Sequence, residues 1–293
     1  MRFEIDHVTH YRYAAPASES FMEARLFPPT NRAQTVRSRT LEIKPSCRVT
    51  SYVDYYGNTV EQFAIAHRHD ELALVARCEV DTHPPAVPAE ALDITVSEAR
   101  QIYRSQRLPL FDFLQPSTAV QFCRSVNQAA NRLVRPGGNL GETLLAVMRW
   151  VYSHFTYTPG ATDVHTTVEQ ALALRKGVCQ DYAHAMIAVL RSAEIPARYV
   201  VGYIETERQR KAASRGERAL VGAAESHAWV EAGLPNGDWY PLDPTNDILA
   251  GERHVVVATG RDFHDTSPTR GVFKGAGHTR LEARVHMRRV ARD

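Results

Sequence analysis

Three residues of the 293 combine type and spacing in a way that could do covalent chemistry: Cys179, His227 and Asp243. Cys179 follows Lys176-Gly177-Val178 and opens an apolar run, so a glycine-containing turn delivers the thiol to the first turn of a helix. There the unpaired backbone N–H groups and the positive end of the helix dipole favour a thiolate over a thiol. The same N–H groups can face an oxyanion, so nucleophile and part of an oxyanion hole share one backbone feature. Taken alone, a cysteine near a helix start is more often a small buried hydrophobe. His227 lies in Ser226-His227-Ala228-Trp229-Val230-Glu231, a strand pattern in which histidine is not readily buried without a partner. Asp243, in Tyr240-Pro241-Leu242-Asp243-Pro244-Thr245, closes the next strand, where a turn cap before proline is the plain alternative. Together the three have the roles of nucleophile, base and orienter in a thiol triad.

The turn between His227 and Asp243 sets a geometric condition. If Asn236-Gly237 formed a two-residue hairpin turn, Pro235 would pair with Asp238, and His227 with Asn246. Asp243 would then point to the face of the sheet opposite His227. A triad therefore requires paired residue numbers with an even sum, such as 470. That needs a longer loop or a bulge, for which Pro241 is a candidate because it disrupts a ladder.

The elements that must hold these residues follow from periodicity. Arg2–Tyr13, Gln34–Lys44, Cys47–Tyr55, Thr59–His67 and Glu71–Asp81 read as strands, separated by turns at Lys44-Pro45-Ser46 and Tyr56-Gly57-Asn58. This spacing predicts an antiparallel sandwich or curled sheet. His83-Pro84-Pro85-Ala86-Val87-Pro88 cannot continue a ladder and reads as a linker. The period then turns helical, over Ser97–Arg104, Thr118–Leu133 and Leu140–His154. A short helix opens with a capping box at Thr166 and Glu169, and Cys179–Ser192 is a further helix. Arg198–Glu205, Glu225–Leu234 and Trp239–Leu242 read as strands, and the polar stretch 205–222 as a mobile excursion.

Composition narrows the class. The chain is long enough for two domains, and 44% hydrophobic with 23% charged residues is ordinary for a globular protein. A net charge of +2, from 35 basic and 33 acidic residues, argues against a nucleic-acid binder. Arg280, Arg284, Arg288, Arg289 and Arg292 read as a solvated strand edge. No run approaches the length of a membrane span, and the opening MRFEIDHVTHYRY is a strand, not a secretory segment. Cys47, Cys78, Cys123 and Cys179 form neither a disulfide framework nor a C-x-x-C pair, so no structural metal is expected and a reduced, cytoplasmic protein is.

At the chemistry-bearing residues the sequence resembles a known group. GVCQDYAHAMIAVLRSAEIPARYVVGYIE and SHAWVEAGLPNGDWYPLDPTND resemble the bacterial transglutaminase-like family, HVVVATGRDFHDTSPTRGVFKG (254–275) its region after the triad, and the opening strands with DYYGNTV its N-terminal β domain. The resemblance implies an α+β fold in four parts. These are an N-terminal antiparallel β domain (1–82), a linker with a connecting helix (83–116), a papain-like transglutaminase core (117–260) and a C-terminal extension with a returning strand (261–293). It implies Cys179, His227 and Asp243 as the triad, and Asp181 and Tyr182 fit its pattern as supporting residues, with helix capping and packing as the equal alternative. Trp229, two residues beyond His227 and so on the same strand face, is a candidate cleft wall or an ordinary core residue. Gln180 and His184 stay plain helix residues on this reading.

The activity implied is acyl transfer through a covalent acyl-enzyme, with no cofactor, no metal and a peptide or protein substrate. Hydrolysis of peptide, isopeptide or amide bonds is the first expectation. Protein-glutamine transamidation or deamidation is the alternative, and a non-catalytic binding or assembly module the third reading. The second oxyanion donor, the role of the β domain and the oligomeric state stay open in the sequence.

Overall fold

The computed structural model describes residues 1–84, 86–205 and 226–291, arranged as two antiparallel sheets facing each other and an α+β core. The first strand, β1 (Arg2–Ala17), alternates Phe3, Ile5, His7 and Thr9 inward with Arg2, Glu4 and Asp6 toward the outside. β2 (Glu19–Ala24), β3 (Gln34–Lys44), β4 (Val49–Val53), β5 (Thr59–Ile65) and β6 (His69–Thr82) follow. Gly57 supplies the positive φ of the β4–β5 turn, at +84°. β2 is absent from the sequence expectation because its inward residues, Ser20, Met22 and Ala24, include two small ones, while Phe21 points outward.

The sandwich is closed by the far end of the chain. β14 (Thr269–Lys274) pairs with β2, and β15 (Thr279–Val290) pairs with β1 from Arg2 through Tyr13. The sheet orders are β15-β1-β6-β3 and β14-β2-β5-β4. The C-terminal extension thus carries two strands where one was expected, and both belong to the β domain. Arg280, Arg284 and Arg288 are exposed on β15, an edge strand, and Arg292 lies outside the described residues. Between the sheets Phe3, Ile5, Phe63, Leu72, Leu74 and Met287 are buried.

The core begins within the segment read as a linker. α1 (Val96–Ser105) buries Val96, Ala99 and Tyr103, and the Tyr103 hydroxyl donates to the Gly233 carbonyl at 2.7 Å, so this helix is part of the core. After α2 (Arg107–Leu110) comes α3 (Arg124–Leu133), six residues shorter at its start than the helix expected over Thr118–Leu133. Residues 118–123 instead spend polar groups outside a helix ladder: Ala119 N–H donates to the distant Asp262 at 2.8 Å, and Val120 C=O accepts from Ser117 N–H in a local turn at 2.9 Å. α4 (Leu140–His154) is capped by Asn139, whose side chain accepts from Glu142 N–H.

β7 (Thr156–Tyr157) precedes α5 (Val168–Leu174), whose capping box is Thr167 with Gln170, not Thr166 with Glu169. Both pairs fit the pattern, but the Thr166 hydroxyl is engaged with Asp163. β8 (Lys176–Gly177) then leads into α6 (Cys179–Ser192), which is buried along almost its whole length. It packs on α3, α4 and α5 and against β9 (Ala197–Ile204) and β10 (His227–Gly233). With β11 (Trp239–Asp243), β12 (Ile248–Leu249) and β13 (His254–Gly260) these form one sheet, ordered β12-β11-β10-β9-β13. A short α7 (Phe263–Thr266) links the sheet to β14.

Tyr203, Val255 and Val257 from this sheet join the buried cluster of the sandwich, so the two parts share a continuous apolar contact. Beyond Glu205, the polar stretch expected over 205–222 lies outside the described residues. Among the described residues no helix is long and apolar enough to cross a membrane.

Candidate active site

The turn before Cys179 is fastened from inside the helix it starts. The Asp181 carboxylate accepts from Val178 N–H and from the Thr162 hydroxyl, both at 2.7 Å. A Cβ on residue 177 would meet that carboxylate at 2.5 Å, which is why glycine is required there. Burial pushes the Asp181 pKa up, against the pull of these hydrogen bonds. The first intrahelical bonds run from Asp181 N–H and Tyr182 N–H to Val178 C=O, leaving the Cys179 and Gln180 N–H groups free of the helix ladder. Cys179 is 8% exposed at this helix start.

His227 is the first residue of β10 and Asp243 the last of β11. Their hairpin pairs Val230 with Leu242 and Gly233 with Trp239, so each pair of numbers sums to 472, an even value. The parity comes from the connection and not from Pro241. Leu234 N–H donates to Asp238 C=O at 2.8 Å, and between them sit three residues ending in Gly237 at φ +87°. His227, Trp229 and Asp243 therefore share one face.

His227 Nε2 lies 2.9 Å from Asp243 Oδ2, and both side chains are buried. The other ring nitrogen, Nδ1, is buried and has no hydrogen-bond partner. Burial opposes a charged imidazole, but the Asp243 carboxylate and the adjacent Cys179 side chain outweigh it and raise the His227 pKa to about 10. Asp243 is held well below the usual carboxylate range. Burial works against this, and the positive His227 ring and the hydrogen bonds from His227 and His254 overcome it.

His254, at the start of β13, was not singled out from the sequence. Its Nδ1 accepts from Gly251 N–H at 3.2 Å, so the ring proton sits on Nε2, which donates to Asp243 Oδ2 at 3.1 Å. Asn246 Nδ2 donates to the same oxygen at 2.7 Å, and the Thr245 and Asn246 N–H groups donate to Oδ1. The ligand atoms of His227, Asp243 and His254 lie within 4.8 Å of one another, a spacing a metal ion could span. With a proton committed on His254 Nε2, however, the group is a hydrogen-bond cluster around a carboxylate. Only a long-range contact, invisible to local periodicity, could have disclosed His254.

Cys179 and His227 open onto a cavity of about 610 Å³. Its far wall belongs to the sandwich: His7 and Thr9 of β1, and Leu281 and Ala283 of β15. Gln180 also faces the cavity, whereas Asp181, Tyr182 and Trp229 do not border it. Tyr182 packs on Phe155, and His184 accepts from Phe263 N–H at 3.2 Å. Trp229 stacks on His227 at 6.1 Å and meets His254 edge-on at 5.3 Å, backing the imidazole from the side away from the cleft. Gly202 makes room for that indole, since a Cβ there would lie 2.6 Å from it.

Residues 127–244 match the transglutaminase-like superfamily, and residues 3–81 match the bacterial transglutaminase-like N-terminal region. The first match spans Cys179, His227 and Asp243. An uncharacterized protein of Mycobacterium leprae is 35% identical over 295 residues, covering 99% of both chains. The Pseudomonas aeruginosa protein-glutamine gamma-glutamyltransferase is 37% identical over 111 residues, 36% of this chain and 16% of that one. A crystal structure of a proposed cysteine protease from Cytophaga hutchinsonii superposes with a TM-score of 0.74 at 22% identity, covering 100% of this chain and 92% of that one, which shows a shared fold.

Proposed function

The chain belongs to the transglutaminase-like superfamily, and on that premise we propose that it is a cysteine peptidase or amidase that cleaves amide bonds through a Cys179 thioester. The observation that carries this reading is the His227 ring, with Nε2 held by Asp243 at 2.9 Å and Nδ1, buried and bound to no other group, turned to Cys179. An imidazole so held can give and take a proton at one nitrogen only.

Sγ of Cys179 attacks the amide carbonyl, and the oxyanion forms against the N–H groups at the start of α6. Collapse breaks the C–N bond while His227 Nδ1 protonates the leaving amine. In the second half, water loses a proton to Nδ1 as its oxygen attacks the thioester, and the thiolate departs. Asp243 keeps the ring in one tautomer and balances its charge throughout. His254 and Asn246 keep Asp243 in place by donating to the same carboxylate oxygen.

Transamidation is the second reading, favoured by the gamma-glutamyl-transferring relative from Pseudomonas aeruginosa. It differs only in that an amine replaces water at the thioester. A glutamine-containing peptide incubated with and without methylamine separates the two by mass spectrometry. Glutamate, or a cleaved peptide, is the expected main product in both samples. An N-methylglutamine product dominating in the presence of amine would move the assignment to transamidation. No acyl product from any peptide in a diverse library would refute the proposal.

A further inference from the structure

The sandwich wall of the cleft holds a chain of hydrogen bonds whose direction can be fixed by counting protons. Tyr203 OH donates its one proton to the Leu26 carbonyl at 2.9 Å. It must therefore accept at its 2.8 Å contact with His7 Nδ1, which places the His7 proton on Nδ1. Burial lowers the His7 pKa to about 4, so near neutral pH the ring is uncharged and Nε2 carries a bare lone pair. The Thr9 hydroxyl, 3.1 Å from Nε2, then has to donate to it. Once that proton is committed, Thr9 Oγ1 has only lone pairs left to offer.

Thr9 and His7 both border the cavity that Cys179 and His227 open onto. Thr9 pairs with Ala283 across the β1–β15 ladder, so their side chains share the sheet face turned to the cleft, along with Leu281 opposite Tyr11. Among the described residues bordering the cavity none is Asp, Glu, Lys or Arg. A hydrogen-bond acceptor of fixed direction in a largely apolar wall, with no carboxylate, ammonium or guanidinium group on the cavity border, selects for a neutral donor. A substrate lacking an N–H there would leave the oxygen desolvated and unpaired.

We infer that Thr9 Oγ1 is a substrate-binding group of the β domain, accepting a hydrogen bond from an amide N–H of the acyl donor. The inference rests on the proposed amide substrate and adds to it what the sandwich contributes. The N–H has two possible sources, the NH₂ of a side-chain carboxamide and a peptide N–H beside the scissile carbonyl. Ammonium groups and carboxylates fit the site poorly. The first requires desolvating a charge against a single hydroxyl, and the second meets lone pairs with lone pairs.

Binding is tested without turnover in the Cys179→Ala chain, titrated calorimetrically with three peptides of one sequence. These carry glutamine, glutamate γ-methyl ester at the same position, or glutamine with the adjoining backbone N–H methylated. Adding Thr9→Val is expected to weaken the glutamine peptide roughly five-fold, and Thr9→Ser to restore it. The ester peptide should be insensitive to Thr9→Val if the carboxamide is the donor, and the N-methylated peptide insensitive if the backbone is. Thr9→Ala serves in place of valine if the latter variant does not fold. Equal effects of Thr9→Val on all three peptides, no effect on any, or no binding by the Cys179→Ala parent would overturn the inference. Thr9-dependent binding by a protein whose wild type turns over no amide would instead sink the proposed hydrolysis alone.

Discussion

Replacing Cys179 by alanine is expected to lower kcat on any amide substrate by about 10⁴-fold or more, with the fold intact. The side chain removed is small and sits at the first position of α6, where it is buried at the edge of the core and borders the cavity. The fastening of the turn does not depend on it, because Val178 N–H and Thr162 are held by the Asp181 carboxylate. The melting temperature should therefore stay within a few degrees of wild type, since an Ala at this position leaves no large cavity. Stopped assays on purified protein, read beside a thermal melt, check both halves. Activity surviving in the alanine variant would rule out the thioester route, whatever the structure of the cleft.

Asp243→Asn is expected to damage both activity and stability. Its carboxylate receives five hydrogen bonds, from the His227, His254 and Asn246 side chains and from the Thr245 and Asn246 N–H groups. An amide offers one acceptor oxygen and turns its NH₂ toward N–H donors on the other side, in a fully buried site. His227 can relieve the conflict only by moving its proton to Nδ1, which disables it as a base. A loss of about 10³- to 10⁴-fold in kcat follows, with destabilisation of about 3 kcal/mol from the uncompensated buried ring.

The stability difference between wild type and Asp243→Asn should also depend on pH in a defined way. Asp243 titrates lower in the folded than the unfolded chain, so its contribution is present above the ordinary carboxylate value near ~4 and is lost as pH falls through its folded pKa. His227 titrates higher when folded, so its contribution is complete below the ordinary value near ~6.5 and shrinks as pH rises, vanishing above about 10. The gap between the two proteins is thus widest between roughly pH 4 and 6.5. Urea titrations at pH 5 and pH 9 check the alkaline side. An equal gap at both would mean that the two groups do not form a charged pair.

Much of this was legible where local pattern and function agree. Gln34–Lys44, Leu140–His154 and Cys179–Ser192 have the same bounds in sequence and structure, where strong periodicity meets a breaker at one end of each: Pro45, Gly137-Gly138 and Gly177. The even hairpin register followed from the requirement that two side chains share a face, although the device was a three-residue loop ending in Gly237 and not a bulge at Pro241.

What escaped the sequence was long-range pairing. Nothing in Thr279–Val290 announces that it will pair with the first strand of the chain, or that Ala283 and Leu281 will then face the thiol across a cleft. His254 and Thr9 escaped for the same reason. One looks like the first residue of an apolar strand and the other like a routine inward threonine, until the fold brings Asp243 to the first and the cavity to the second.

The central claim is that His227 and Asp243 make Cys179 a nucleophile, and site-resolved alkylation tests it without knowledge of the substrate. Burial raises the Cys78 pKa to about 12 and pushes Cys47 upward as well, so neither should react quickly. With limiting iodoacetamide at pH 7, Cys179 is predicted to label at least ~10-fold faster than Cys47, Cys78 or Cys123, although it is one of the two buried thiols. That advantage should disappear in His227→Ala. Labelling of Cys179 no faster than of the other three, or equally fast with and without the imidazole, would contradict the account.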